Sequence, residues 1–491
     1  MAFKQSILFL IALSLFNIVL GAPAPVTGGK QNIIVMIGDG MGPDSMNLAR
    51  VYKQYTDNLD IDARLNLDPY LIGSLRTRSS SSLITDSAAA GTAFAVGQKT
   101  YNGAISVDDD KLPIGSLAEA LKLQKGYKNG VVVKSTLTDA TPSVWGAHNE
   151  TRKNQDNIAE QLFGEGKFGV VLDYMSGGGK CYWVPKDQED SCRKDDRDLI
   201  AEWKDKGYTF FETKPEFDEY LNSGELTLPA LSFWGNEDVD YVIDRNSDTT
   251  PTLADQSRLA LNTLTKATAD SDSGFFLMIE GSLIDHCGHD NDAACHPRET
   301  IEFDDAFAVV KEYVDNSDIP TIVLITADHS TGGLALGYND MESWYPEVLF
   351  NKSHSSAYFE SKVLELNETD VDNTTISDFI KDWVVTELQV EDATEEEIET
   401  VLEAVRGDGD VVHAIGPITS NRAAIGWTTG GHTNVDVNLY AYTNSEDFEK
   451  QYSNFEADVG LAGNHDNTEL NAFLAKLAGV DLNAVTEQLR A

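Results

Sequence analysis

Three short apolar runs along the chain each end on acidic or imidazole side chains. Asn32 to Ile37 (NIIVMI) passes straight into Gly38-Asp39-Gly40-Met41-Gly42, Phe275 to Ile279 stops at Glu280, and Thr321 to Thr326 leads through Ala327 to Asp328-His329. A fourth run, Gly130 to Val133, precedes Thr138-Asp139-Ala140-Thr141-Pro142. Runs of this length bounded by glycine and polar residues read as buried strands. Between them, Ile114 to Leu123, Thr252 to Thr265 and Glu302 to Val314 carry apolar residues at three- and four-residue intervals, which predicts covering helices. This alternation predicts an α/β fold with a large, mostly parallel central sheet flanked by helices. In such sheets binding groups gather at the carboxyl ends of the strands.

The rhythm breaks between about 341 and 420. That segment holds Trp344-Tyr345-Pro346, a helical pattern from Ile376 to Leu388, the Glu395-Glu396-Glu397 run and Gly407-Asp408-Gly409. It reads as a small accessory insertion in one domain spanning 23–491, and no internal repeat is present. Residues 1–22 read as a signal peptide: Lys4, an apolar core from Ile7, then the small residues Gly21 and Ala22. A membrane anchor is the competing reading, and the shortness of the stretch argues against it. The C-terminus, ending Gln488-Leu489-Arg490-Ala491, lacks the apolar tail of a lipid-anchor signal. A secreted, extracellular protein without stable membrane insertion is expected.

Charge sharpens this picture. The 491 residues carry 37 basic and 80 acidic side chains, a formal charge of −43. Such a surface repels nucleic acid and anionic membranes, and it repels phosphate esters too. An enzyme acting on anions from this chain must make its site locally positive, as metal ions with an arginine would. The four cysteines allow three pairings; proximity favours Cys181 with Cys192 and Cys287 with Cys295, compatible with an oxidising compartment. Asn149, Asn351, Asn367 and Asn373 each begin a glycosylation acceptor.

Asp285 and His289 stand four apart, so a helix or turn can aim both at one metal ion. Glu280, Asp328 and His329 sit at other strand ends, and His432 follows Gly430-Gly431. A single such pair is explained by capping of a strand or helix end. Three strand ends so equipped, together with His432, point to a metal centre. Thr85 to Ala93 reads as the opening of a helix, where Asp86 and Ser87 are both good caps and where the Ser87 oxygen would face unpaired backbone N–H groups. Cys287, lying among these ligands, has two readings, zinc thiolate and loop-closing disulfide; Cys295 nearby favours the disulfide.

With these motifs in their order, the chain resembles the alkaline phosphatase family. Gly38 to Gly42 matches the family's first metal motif and Thr85 to Thr92 its nucleophile motif; the likeness continues through Asp139 to Pro142, His148 to Arg152, Glu280 to His289, Thr326 to His329 and Gly431-His432. The stretch Ser79 to Thr92 is closer to fungal or other eukaryotic secreted members than to the enteric bacterial form. The resemblance implies a phosphatase of small phosphate monoesters, working through a phosphoserine on Ser87 as a homodimer with two Zn2+ and one Mg2+ per subunit. It places Asp285, His289 and His432 on one zinc, and Asp39, Ser87, Asp328 and His329 on the second. Asp39, Thr141 and Glu280 would bound the magnesium, and Arg152, oriented in part by Asp86, would grip phosphate. Asp139 and His286 stand at positions that tune the third site, in a combination matching neither the enteric bacterial nor the animal pattern. Asp139 is expected to hold magnesium through water. For His286 three roles stay open: contact with phosphate through water, a bias toward another metal, or a supporting hydrogen bond. Two other functions stay open: the resemblance also admits a metal-dependent phosphodiesterase of the wider superfamily, with a similar sheet and two-metal centre, and the acidic surface, acceptor sites and accessory segment are compatible with a secreted metal-binding protein without catalysis. Arg152, Thr141 and Glu280 favour the monoester, because they balance the extra charge of its terminal oxygens.

Overall fold

The computed structural model describes residues 29–491 except 340–341, 370, 408 and 457–459. The expected signal peptide at 1–22 lies outside the described residues. The predicted apolar runs form the middle of a ten-stranded sheet. Its spatial order is Gly463–Asp466, Leu71–Arg76, Val437–Thr443, Thr321–Thr326, Asn32–Gly38, Phe275–Gly281, Lys128–Thr136, Tyr174–Gly178, Ala230–Phe233 and Thr209–Phe211. All neighbours pair in parallel except Val437–Thr443, which runs antiparallel to the strands on both its sides. Every residue of Asn32–Gly38, Phe275–Gly281 and Thr321–Thr326 is buried, which is why their sequences are continuous apolar runs rather than alternating ones.

Two groups of helices cover the sheet: Pro43–Thr56, Leu253–Ala267 and Cys295–Asp315 pack together, as do Ser87–Val96, Leu117–Lys125 and Thr468–Ala478. Caps set several boundaries. Ser116 and Glu119 close a capping box, so the helix expected from Ile114 begins at Leu117. Thr252 caps Leu253–Ala267 by accepting from Asp255 N. The helix expected from Glu302 starts at Cys295 instead, because Asp292 accepts hydrogen bonds from the free backbone N–H groups at its first turn.

The helices Ser356–Asn367, Asn373–Thr386, Glu395–Arg406 and Val411–Ser420 surround a hydrophobic cluster of their own, which includes Phe359, Ile376, Trp383, Val401 and Ile415. Short strands build two further two-stranded sheets: Ala335–Leu336 with Ile425–Gly426, and His432–Thr433 with Ser330–Thr331. The second of these carries His432 back to the strand end bearing Asp328 and His329. The cysteines form Cys181–Cys192 and Cys287–Cys295, so Cys287 is no thiolate ligand. Among the described residues no helix is long and apolar enough to cross a membrane.

Candidate active site

The carboxyl ends of the three central strands bring the chemistry together. Asp39 follows Asn32–Gly38, Asp328 and His329 follow Thr321–Thr326, and Phe275–Gly281 carries Glu280 and leads to the short helix Leu283–His289 bearing Asp285 and His289. One ligand atom each from Asp39, Asp328 and His329 lie within 4.8 Å of one another, and Asp285, His289 and His432 form a second such group. Gly40 makes the junction possible: at φ +68°, a Cβ there would stand 2.7 Å from the Asp285 Cα.

The histidines are oriented for cations. His289 Nδ1 donates to Gly430 O at 2.6 Å and His432 Nδ1 to Thr85 O at 2.9 Å. A carbonyl only accepts, so each Nδ1 carries its proton, and each ring in its neutral form keeps a lone pair on Nε2. Those two Nε2 atoms face each other at 3.1 Å, an arrangement that is repulsive between two neutral rings and that a shared cation relieves. Asp285 Oδ2 stands 3.1 Å from His289 Nε2 and Oδ1 stands 3.7 Å from His432 Nε2. The Thr331 hydroxyl donates to Asp285 Oδ1 and lies 3.3 Å from His329 Nδ1, from which it accepts. The His329 Nε2 lone pair therefore points at Ser87 Oγ, 3.1 Å away, with Asp328 Oδ2 at 3.0 Å and Asp39 Oδ1 at 3.7 Å.

Four oxygens in this region are buried with no hydrogen-bond partner: Asp39 Oδ1, Asp328 Oδ2, Glu280 Oε1 and Thr141 Oγ1. Asp328 Oδ2 is close to His329 but out of line for a hydrogen bond. Buried orphaned oxygens are costly, and carboxylates among them more so, unless a cation compensates. Titration tells the same story. Burial, then the charges of Asp328, Asp285, Glu280 and Asp139, push the Asp39 carboxyl well above its ordinary range. Burial, with Asp139 next, pushes Glu280 up to about 8. Donor chemistry thus fits metal ions: imidazole and carboxylate in two groups, and hard oxygens from Asp39, Glu280 and Thr141 beside them.

Ser87 opens the helix Ser87–Val96 and is buried; Asp86 caps it by accepting from Ala89 N at 3.0 Å. Arg152 lies beside this helix end. Its main partner is Asp139, whose Oδ1 accepts from Nη2 at 2.8 Å, while Asp86 Oδ2 stands 3.5 Å from Nη1. Orientation by Asp86 is therefore secondary. The Asp139 charge holds the guanidinium proton still more firmly than usual, and Arg152 in turn outweighs burial to keep Asp139 below the usual carboxylate range. His286 turns to Asp238, with Nδ1 3.2 Å from Oδ2. Burial opposes its charged form, but Asp238 outweighs this and lifts the imidazole to about 10.

A model of the alkaline phosphatase family matches residues 30–480. The chain belongs to the alkaline phosphatase family. The repressible alkaline phosphatase of Saccharomyces cerevisiae is 41% identical over 478 residues, covering 94% of this chain and 83% of the relative. The alkaline phosphatase of Schizosaccharomyces pombe is 37% identical over 465 residues, covering 93% and 83%. The crystal structure of the cold-active alkaline phosphatase of the psychrophile Shewanella sp. superposes with a TM-score of 0.72 at 29% identity, covering 91% of this chain and 99% of that one. The fungal kinship expected from Ser79 to Thr92 agrees with these identities, and the chain is a hydrolase of the alkaline phosphatase type.

Within this phosphatase, two participants escaped the sequence reading. Asp238 follows the short strand Ala230–Phe233 and accepts from Thr136 N at 2.9 Å. Its loop fits only because Gly178 has no side chain: a Cβ there would stand 2.2 Å from Glu237 O. The run Gly177-Gly178-Gly179 was the available signal. Thr331, which links Asp285 to His329, was detectable only as a neighbour of Asp328-His329.

Proposed function

We propose that this alkaline phosphatase hydrolyses phosphate monoesters through a phosphoserine on Ser87, releasing an alcohol and inorganic phosphate. The observation that carries the reading is the Ser87 Oγ, buried at a helix N-terminus and 3.1 Å from Nε2 of His329, which forms a cation-ready group with Asp39 and Asp328. Asp285, His289 and His432 would hold one zinc ion; Asp39, Asp328, His329 and Ser87 a second; Asp39, Thr141 and Glu280, with Asp139 through water, a magnesium ion. Bound metals supply positive charge that favours the serine alkoxide and offsets charge on the oxygens of the ester.

The rest falls to the chain itself. Ser87 Oγ gives up its proton and bonds to phosphorus as the ester P–O bond breaks in line, and the departing oxygen is protonated to the alcohol. Arg152, braced by Asp139, spreads its donor fork over nonbridging oxygens. Backbone N–H groups at the start of the Ser87 helix, ordered by the Asp86 cap, add to that field. Water then bonds to phosphorus from the vacated side and Ser87 Oγ leaves with a proton, so two inversions give net retention. Because these groups address phosphate rather than its alcohol, many monoesters should be accepted, and Arg152 favours them over diesters.

We further propose an exported, glycosylated homodimer, with residues 23–491 as one domain and 341–420 as its accessory unit. The sequence-based leader and acceptor sites support export, and family membership supports the dimer.

The test is Ser87→Ala in the zinc- and magnesium-loaded protein, with p-nitrophenyl phosphate turnover and acid-quenched trapping of phosphoryl-enzyme. Both should be lost. Undiminished turnover refutes the nucleophile, and a strong preference for bis-p-nitrophenyl phosphate refutes the monoester reading.

A further inference from the structure

The loop from Asp290 to Ala294 joins the helix bearing Asp285 and His289 to the long helix Cys295–Asp315. At its centre Asp292 is buried, with 5% of its surface exposed, and all of its polar groups are engaged. Its Oδ1 accepts from Ala294 N and Cys295 N, both at 2.9 Å, and its Oδ2 accepts from Ser356 N at 2.7 Å. Its own N–H donates to Cys287 O at 2.9 Å, and its carbonyl accepts from His296 N at 3.1 Å.

Three features make this more than a helix cap. Cys287 lies between Asp285 and His289 and is bonded to Cys295, so the Asp292 N–H and the disulfide close the same loop. Ser356 begins the first helix of the accessory cluster, whose entry is also gripped through Asp244, with Oδ1 accepting from Ser355 N at 3.1 Å and lying 3.0 Å from His354 Nδ1. Asn291, at φ +52°, donates from Nδ2 to Gly288 O at 2.8 Å and Thr429 O at 3.0 Å, joining the loop to the segment that delivers His432.

We propose that Asp292 is a positioning residue through which the accessory helices hold Asp285 and His289 in ligand geometry before metal binds. The inference rests on reading Asp285, His289 and His432 as zinc ligands. A carboxylate receiving three backbone N–H bonds, two of them from the first residues of the helices Cys295–Asp315 and Ser356–Asn367, is well stabilised where it is. The ligand pair is then ordered by folding rather than by the metal, and the released ion leaves behind a site that does not relax. Loss of the Ser356 bond weakens the hold of the accessory helices on the loop, leaving the longer Ser420 Oγ to Asn291 O contact at 3.5 Å; loss of the whole carboxylate also frees the Ala294 and Cys295 N–H groups.

The test compares wild type, Asp292→Asn, Asp292→Ala and a control, Val405→Ala, each as full-length zinc- and magnesium-loaded protein. Val405 is buried in the accessory cluster and touches none of these bonds in the loop. Zinc release into a chromophoric chelator is followed alongside the urea midpoint. Asp292→Ala should release one zinc about 10-fold faster, Asp292→Asn should fall between it and wild type, and Val405→Ala should lower the midpoint while releasing zinc at the wild-type rate. Excess zinc should restore turnover in the Asp292 variants. Wild-type release from both Asp292 variants overturns the proposal, as does equal acceleration in Val405→Ala at matched loss of stability. If Asp292→Ala fails to fold, Asp292→Asn decides: acceleration supports, a wild-type rate overturns. Wild-type protein retaining no zinc overturns the ligand assignment and this inference with it; retained zinc with unaltered release overturns this inference alone.

Discussion

The Arg152 guanidinium is braced by Asp139, 2.8 Å from Nη2 to Oδ1, and only loosely by Asp86. Asp139 thus serves two neighbours at once, the arginine and the oxygen-rich corner formed with Glu280, whose carboxyl feels its charge.

Removing that brace should weaken phosphate recognition. A hydrogen bond to a charged group contributes about 1.5–3 kcal/mol, and Asp86 retains part of the contact, so Asp139→Ala should raise the inhibition constant of inorganic phosphate by roughly 10-fold. Competitive inhibition at fixed metal concentration measures this. An unchanged constant would place the hold on Arg152 elsewhere.

Stripping the metals should leave a fold that loses stability as pH rises. With Glu280 raised to about 8 in the metal-free fold against an ordinary 4.5, the folded state binds more protons than the unfolded chain between those values. That stabilisation is fully present below the unfolded value and is lost as pH rises through about 8. Urea midpoints of chelator-treated protein should therefore fall from pH 5 to 9, and metal restoration should flatten the slope. A rising midpoint across that window contradicts the assignment.

Gly40→Ala should damage both ligand groups together. The new methyl would enter at φ +68° and stand 2.8 Å from both Asp285 Oδ1 and Thr331 Oγ1. A left-handed alanine alone costs about 1–2 kcal/mol, and the clash adds to it. Lower zinc content per chain and a lower urea midpoint are expected, read by metal analysis and fluorescence.

Lys134→Met tests a charge network that takes no part in the chemistry. Lys134 Nζ is buried between Glu299 at 2.6 Å and Glu302 at 2.7 Å, and Glu302 also pairs with Arg245. Deleting one member of a buried ion group costs about 3–5 kcal/mol, because the partner charges stay buried. Equilibrium urea unfolding should show a loss of that size. Near-neutral behaviour would mean that the glutamates find other compensation.

The parts legible in the sequence share one property: their signal is local. Asn32–Gly38, Phe275–Gly281 and Thr321–Thr326 are buried on both faces, so burial writes an unbroken apolar run that stops where Asp39, Glu280 and Asp328 begin. Ser87 could be placed because its helix opening is written in adjacent residues. Asp238 could not be, since its partner His286 lies 48 residues on and nothing near Asp238 encodes that distance; only a glycine run on a third segment hints at the close approach. The same holds for Asp292, whose bond to Ser356 crosses from the loop to the accessory helices. The dominance of Asp139 over Asp86 at Arg152 depends on a difference of 0.7 Å between two contacts, 2.8 and 3.5 Å, which residue order does not encode.

The strand Val437–Thr443 lies between Leu71–Arg76 and Thr321–Thr326. During synthesis the chain must therefore keep two sheet edges bare until nearly all of it has left the ribosome, since the strand that joins them comes almost last. A chain stalled or clipped before residue 437 would lack both strand neighbours of Leu71–Arg76 and leave that strand, with the edge of Thr321–Thr326, open to other chains, which invites association through exposed strands. Residues 437–466 thus carry more than their own two strands, since they also tie Leu71–Arg76, written near the start of the chain, into the sheet.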